Sequence, residues 1–157
     1  MTSYKHTQVG YLMITVTLVA LVVFAWTQIA VRTELPSADS GANFFATAVM
    51  VIVLLALSSF ATLTVSIDEN YLQIKFGYGI FRKKFLLNEI TSAKQVKNHW
   101  YCGWGIRFCC HPRMCIYNVS GFNAVEIVTK DGKIYRIGTD TPSELETAIK
   151  QKLPTNL

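Results

Sequence analysis

Two long stretches of this chain carry no Asp, Glu, Lys or Arg at all: residues 6–31 and residues 40–67. An α-helix rises about 1.5 Å per residue, so about 20 apolar residues cross the roughly 30 Å hydrocarbon core of a bilayer. Val9–Val31 meets that length, and so does a second stretch from about Phe44 to Thr64. Both are built from Val, Leu, Ile and Ala, with Thr, Ser and one Gln as the polar members. Hydroxyls are tolerated there because they bond back to their own helix. Tyr11 and Trp26 sit near opposite ends of the first run, where amphipathic rings settle at headgroups. The first run is far longer than the roughly 7–15 residues of a signal-peptide core and has no A-x-A-like exit. Nor does so short a chain have enough other structure to bury two such helices on all sides.

The expected organisation follows: a short N-terminal segment (1–8), a first membrane helix (9–31), a connector (32–42), a second membrane helix (43–64), a soluble domain (65–153) and a tail (154–157). The connector is polar and broken by Pro36 and Gly41, which makes the helices antiparallel neighbours. It carries one Arg against Glu34 and Asp39, whereas Lys5 precedes the first helix and Lys75, Arg82, Lys83 and Lys84 follow the second. The positive-inside bias therefore places both termini in the cytoplasm.

At 157 residues the chain has room for one modest soluble domain. From residue 68 onward there are 13 Lys and Arg against 8 Asp and Glu, so the whole net charge of +5 lies in that domain. A basic surface beside a membrane attracts anionic headgroups. Nucleic acid is the competing partner, but the excess is modest and no recognition motif accompanies it, so none is expected.

Past the second run the apolar pattern changes to alternation. Leu63, Val65 and Ile67 alternate with Thr64 and Ser66, so the chain is read as leaving the bilayer directly into a strand. Further short strands are predicted over 71–76, 80–87, 90–96, 106–110, 115–119, 124–129 and 134–137, with a hairpin turn at Lys130-Asp131-Gly132-Lys133. Thr141-Pro142-Ser143-Glu144 combines a capping-box pattern with Pro at the first helical position. Leu145, Ala148, Ile149 and Leu153 then form an apolar stripe, and Pro154 stops the helix. The fold class is membrane-anchored α+β: a sandwich or barrel of about seven antiparallel strands closed by one helix.

Four stretches carry a family resemblance: Glu89-Ile90-Thr91-Ser92-Ala93, Trp100-Tyr101-Cys102-Gly103-Trp104-Gly105-Ile106-Arg107, Tyr117-Asn118-Val119-Ser120-Gly121 and Tyr135-Arg136-Ile137-Gly138-Thr139-Asp140. Residues 65–149 resemble the pleckstrin-homology-like (PH-like) domains of small bacterial membrane proteins, which often follow two membrane helices. The resemblance implies a PH-like fold at a bacterial inner membrane. It carries over no catalytic residue, and a fold does not by itself supply a ligand.

Three groups of residues are candidates for function. In Trp100–Arg107 the glycines Gly103 and Gly105 permit a tight turn, and Trp100, Tyr101 and Trp104 either dip toward headgroups beside Arg107 or complete the core. Arg82, Lys83 and Lys84, with Lys75 nearby, either contact anionic lipid or form a solvated strand edge that resists edge-to-edge pairing. Among the cysteines, a hairpin turn at residues 111–114 would make Cys110 and Cys115 cross-strand neighbours, with Cys109 on the other face. Cys102 or His111 would complete a weak metal set, but the spacing matches no C-x-x-C knuckle and plain thiols fit better. No structural disulfide and no cofactor are expected in a reducing compartment.

Catalysis is not expected. Cys110 and His111 are adjacent, so on a strand they point to opposite faces, and no Walker A loop, nucleophile elbow or H-E-x-x-H is present. The Asn118-Val119-Ser120 sequon would be unmodified in the cytoplasm. Neither apolar run has an ionisable residue in its interior, which argues against transport. Two readings stand: a membrane-anchored interaction module for a protein partner or a second copy, and a domain that binds anionic lipid or a small ligand at the cytoplasmic leaflet.

Overall fold

The computed structural model describes residues 4–34, 40–100, 103–110 and 113–153. Its first element is one that apolar periodicity does not announce. Tyr4–Val9 is a strand, β1, that runs without a linker into helix α1, Tyr11–Glu34. Helix α2, Ser40–Ser59, returns and delivers the chain to β2, Thr62–Ile67. β1 and β2 pair antiparallel from Tyr4 opposite Ile67 to Val9 opposite Thr62. The two helices are therefore the long loop of a β-hairpin. They lie against each other, with Gln28 Nε2 donating to Thr47 Oγ1 at 3.3 Å.

Several boundaries shift from the sequence reading. Residues 4–8, read as part of a short N-terminal segment, and Val9, read as the start of the first membrane helix, form a strand of the folded domain. α1 runs on through Glu34, into the stretch read as connector. α2 ends at Ser59, so residues 60–64, read as membrane helix, turn and enter β2 instead. Here the Thr62–Ile67 alternation wins over continuous apolarity, because Leu63, Val65 and Ile67 each gain a place in the core. Tyr11–Ala30 is one helix long and apolar enough to cross a membrane, with none of that span buried in the protein, and Phe44–Ser59 is a shorter apolar helix.

The remaining elements are β3 (Tyr71–Phe76), β4 (Arg82–Leu86), β5 (Ile90–Lys97), β6 (Gly105–Cys110), β7 (Arg113–Asn118), β8 (Asn123–Thr129), β9 (Ile134–Gly138) and α3 (Pro142–Lys150). One sheet has the order β1-β2-β3-β4 and the other β5-β8-β9-β7-β6. The described residues thus hold nine strands where about seven were expected. The pattern is also not wholly antiparallel, since β7 and β9 run parallel from Met114 opposite Ile134 to Tyr117 opposite Ile137. The architecture is α+β, with two sheets and three helices among the described residues.

Alternation explains how the sheets meet. Leu63, Val65, Ile67, Leu72, Ile74, Phe76 and Phe85 from the first sheet share one core with Ala93, Tyr117, Val125, Ile127 and Ile137 from the second. α3 adds Leu145 and Ile149, both fully buried. Its predicted capping box does not form: Thr141 makes no side-chain cap bond, and its N–H donates to Thr139 Oγ1 at 3.2 Å. Pro142 still starts the helix, because its missing N–H costs nothing there.

β1 ties the two sheets together. Tyr4 Oη and Thr141 Oγ1 are 3.1 Å apart, His6 pairs with Asp140, and Gln8 Nε2 donates to the Ser120 carbonyl at 2.9 Å. Three successive same-face positions on one strand of the first sheet thereby reach loops of the second.

Candidate functional site

The helices leave the domain at one place. There the Gly10 N–H donates to the Ala61 carbonyl at 2.7 Å, closing the base of the helical pair. The β3–β4 turn lies at this same end, because Leu63 pairs with Phe76 and Lys75 with Arg82. The basic hairpin of the sequence reading is therefore next to the helix exit. Its charges do not act as one patch, however. Lys75 and Arg82 flank the turn, Arg82 Nε donating to the Gly79 carbonyl at 3.0 Å. Lys84 lies on the outer face with its ammonium over the Tyr71 ring, and Lys83 lies over Phe85 on the inner side.

β4 and β6 each end their sheet among the described residues, and residues of both edges line one cavity. This cavity, of about 190 Å³, is lined by Phe76, Phe81, Ile106, Phe108 and Tyr117, with Arg82 and Lys83 at its border. Phe108 is 80% exposed, an unusual state for a large ring on a strand. Further along β4, between it and the β8–β9 hairpin, a second cavity of about 380 Å³ is lined by Lys83, Lys84, Lys130, Lys133 and Tyr135, with Glu89 and Asp131. Lys83 belongs to both cavities, so the cleft changes along β4 from apolar to basic.

Lys130 and Lys133 are the residues that sequence reasoning missed as part of this site. The signal was present in the Lys-Asp-Gly-Lys turn, which was read for its backbone alone. The turn forms as expected, with the Thr129 N–H donating to the Lys133 carbonyl at 3.0 Å. Lys133 also pairs with Asp131 at 2.7 Å. Its ammonium, helped by the Thr129 hydroxyl, holds the Asp131 carboxyl down to about 2. Asp131 is thus ionised throughout the ordinary pH range and offsets one of the four lysines.

The run Trp100–Arg107 is divided by the structure. Gly103 and Gly105 have φ of 63° and 93°, so the predicted tight turn is there. Trp100 is exposed, whereas Trp104 is half-buried. The Arg107 guanidinium lies close to Gly103, bringing this turn toward the outer face of the second sheet, away from the β4 cleft. Tyr101 lies outside the described residues. On the same outer face Glu126, only 8% exposed, pairs with Arg136 at 2.8 Å and with Lys94 at 3.7 Å. Arg136 Nη1 also donates to Asn98 Oδ1 at 3.5 Å, so these charges are spent on one another.

The cysteine geometry differs from the expectation. Cys110 is opposite Arg113 and Cys115 is opposite Phe108, so Cys110 and Cys115 are not direct cross-strand neighbours. β7 already begins at Arg113, two residues before the strand start that the expectation used. Cys115 is buried in the core beside Tyr117, and burial pushes its thiol up, away from the thiolate a metal needs. Burial likewise raises the Tyr117 phenol. Cys102 and His111 lie outside the described residues. Among the described residues no three His, Cys, Asp or Glu side chains come together as a metal set. Asn118 of the sequon is buried and structural: its Nδ2 donates to the Gly121 carbonyl at 3.0 Å.

No protein-family profile matches this chain, and no curated protein or solved structure resembles it at a significant level.

Proposed function

We propose that this chain is a two-span membrane protein that presents a non-catalytic interaction module on one side of the bilayer. The observation that carries the anchoring is the β1–β2 pairing across the helical pair. Strands that pair in one sheet lie on one side of a membrane. If α1 crosses, α2 must therefore cross back. α1 has 24 residues, about 36 Å of helix, and α2 has 20, about 30 Å, of which Phe44–Ser59 is the apolar part. The same pairing speaks against a cleaved signal sequence, since cleavage after α1 would remove a strand of the sheet. The lysine and arginine distribution supports a cytoplasmic side for the domain and both termini.

The module reading rests on the cleft between the two sheet edges. Unpaired strand edges and an exposed phenylalanine are features of surfaces that take up another chain. We assign the cleft to a protein partner or a second copy of this chain. Two sheets around one core, closed by a C-terminal helix, accord with the PH-like resemblance, while nine strands and the parallel β7–β9 pair go beyond it. A photo-crosslinking amino acid in place of Phe108, activated in native membranes, tests the assignment. A discrete protein adduct or a dimer is expected. Adducts to lipid alone would overturn it.

One observation favours a second reading, anionic headgroup or small-ligand binding: Lys130 and Lys133 join Lys83 and Lys84 around one cavity. Under that reading, protein purified from mixed-lipid nanodiscs retains anionic lipid, and Lys83→Glu/Lys130→Glu loses it.

A further inference from the structure

The β3–β4 turn, Gly77–Phe81, has an apolar tip that neither the fold nor the cleft uses. Tyr78 is 72% exposed and Ile80 is 69% exposed. A turn that serves only to reverse a strand favours small or polar residues, because exposed apolar side chains gain nothing in water. This one also has a fixed place. The Gly77 N–H donates to the Thr62 carbonyl at 2.9 Å. Gly77 has φ of 41°, and a Cβ there would lie 2.3 Å from the Ser59 carbonyl oxygen. The turn is thus seated directly on the last residue of α2, and Ser59 is left 1% exposed. Phe81 stacks on Phe60 with ring centroids 5.2 Å apart, and Phe60 meets Phe76 edge-on at 5.5 Å. A chain of rings therefore fixes the turn to the segment that leaves the helix.

Position and composition then agree on an occupant. A turn seated on the last residue of a membrane helix is level with the bilayer surface. Its tip is apolar and its base is cationic, with Lys75 folded beneath Gly79 and Arg82 bonded to the Gly79 carbonyl. Tyrosine at the headgroups, an aliphatic side chain below them and lysine or arginine above is the order that an interface stabilises. We infer that the tip of the β3–β4 turn, Tyr78 and Ile80, inserts into the lipid leaflet, with Lys75 and Arg82 against its anionic headgroups. This inference rests on the two-span reading of α1 and α2. The domain then has three points of attachment to the bilayer, two helices and the turn, which fixes its tilt and aims the β4 cleft.

The test uses the full chain in nanodiscs that contain anionic lipid, with the native cysteines intact. An environment-sensitive fluorescent amino acid replaces Ile80, Leu55 on α2, or Asn70 in the β2–β3 turn at the opposite end of the sheet. Thermal melting confirms that each variant is folded. Lipids with a nitroxide at the headgroup or in the upper acyl chain serve as quenchers. The expected result is headgroup-nitroxide quenching at position 80 several-fold above that at position 70, together with acyl-chain-nitroxide quenching at position 55, about 6 Å of helix below Ser59. Equal quenching at 80 and 70, with 55 still quenched, would overturn the insertion and leave the anchoring intact. An unquenched position 55 would overturn the two-span reading, and the insertion with it.

Discussion

β1 and β2 pair with each other residue for residue, yet they are opposites in composition. β2 reads Thr-Leu-Thr-Val-Ser-Ile and places Leu63, Val65 and Ile67 in the core. β1 reads Tyr-Lys-His-Thr-Gln-Val, and only Gln8 among its residues is buried. One strand is held by what its side chains remove from water, the other by hydrogen bonds to its neighbour strand and to two loops of the opposite sheet. A period-2 apolar pattern reports the first kind of strand and is silent about the second.

That contrast sets the order of the expected effects. Leu63→Ala leaves a cavity in a fully buried site and should cost about 2–5 kcal/mol in chemical unfolding. Gln8→Ala removes the bond to the Ser120 carbonyl and should cost about 1 kcal/mol, a loss concentrated in a polar strand. Thr7→Ala breaks an exposed hydroxyl pair with Thr64, 2.9 Å apart, and should stay within about 0.5 kcal/mol. A β1 substitution as costly as Leu63→Ala would break the comparison.

Acid gives the smallest and most local effect. Asp131 has a folded pKa lowered from 3.8 to about 2, so its contribution is complete above the unfolded value and is lost as pH falls through about 2. Amide exchange in the β8–β9 turn should rise across that window. Within β1 the bonds of Thr7 and Gln8 are uncharged and should not change across that window.

Much of the fold was legible because the core makes it so. Strands with a buried face, the Asp-Gly turn and the Leu145–Ile149 stripe all declare themselves through apolar spacing or turn chemistry. β1 did not, because its partner lies beyond two helices, from Val9 opposite Thr62 to Tyr4 opposite Ile67, and its side chains are mostly polar. The end of α2 differs because Phe60, Ala61 and Leu63 suit an apolar helix as well as a strand, and only the sheet decides where the helix stops. The candidate site was legible in part. Lys75 and Arg82–Lys84 were found from their charge, but Lys130 and Lys133 join them only through the approach of two sheets. The cysteine register differs because β7 starts at Arg113, two residues earlier than the apolar spacing indicates.

The central claim is that β1 and β2 pair across the helical hairpin, and one cross-link tests it directly. Thr7→Cys/Thr64→Cys, placed at facing positions and oxidised in native membranes, should form an intramolecular disulfide between peptides containing residues 7 and 64, read by mass spectrometry. The native protein has both ends of the helical pair in one sheet, so this link should form without loss of the folded state. Failure of residues 7 and 64 to join in the folded protein, or their separate labelling from opposite sides of the membrane, would contradict the account.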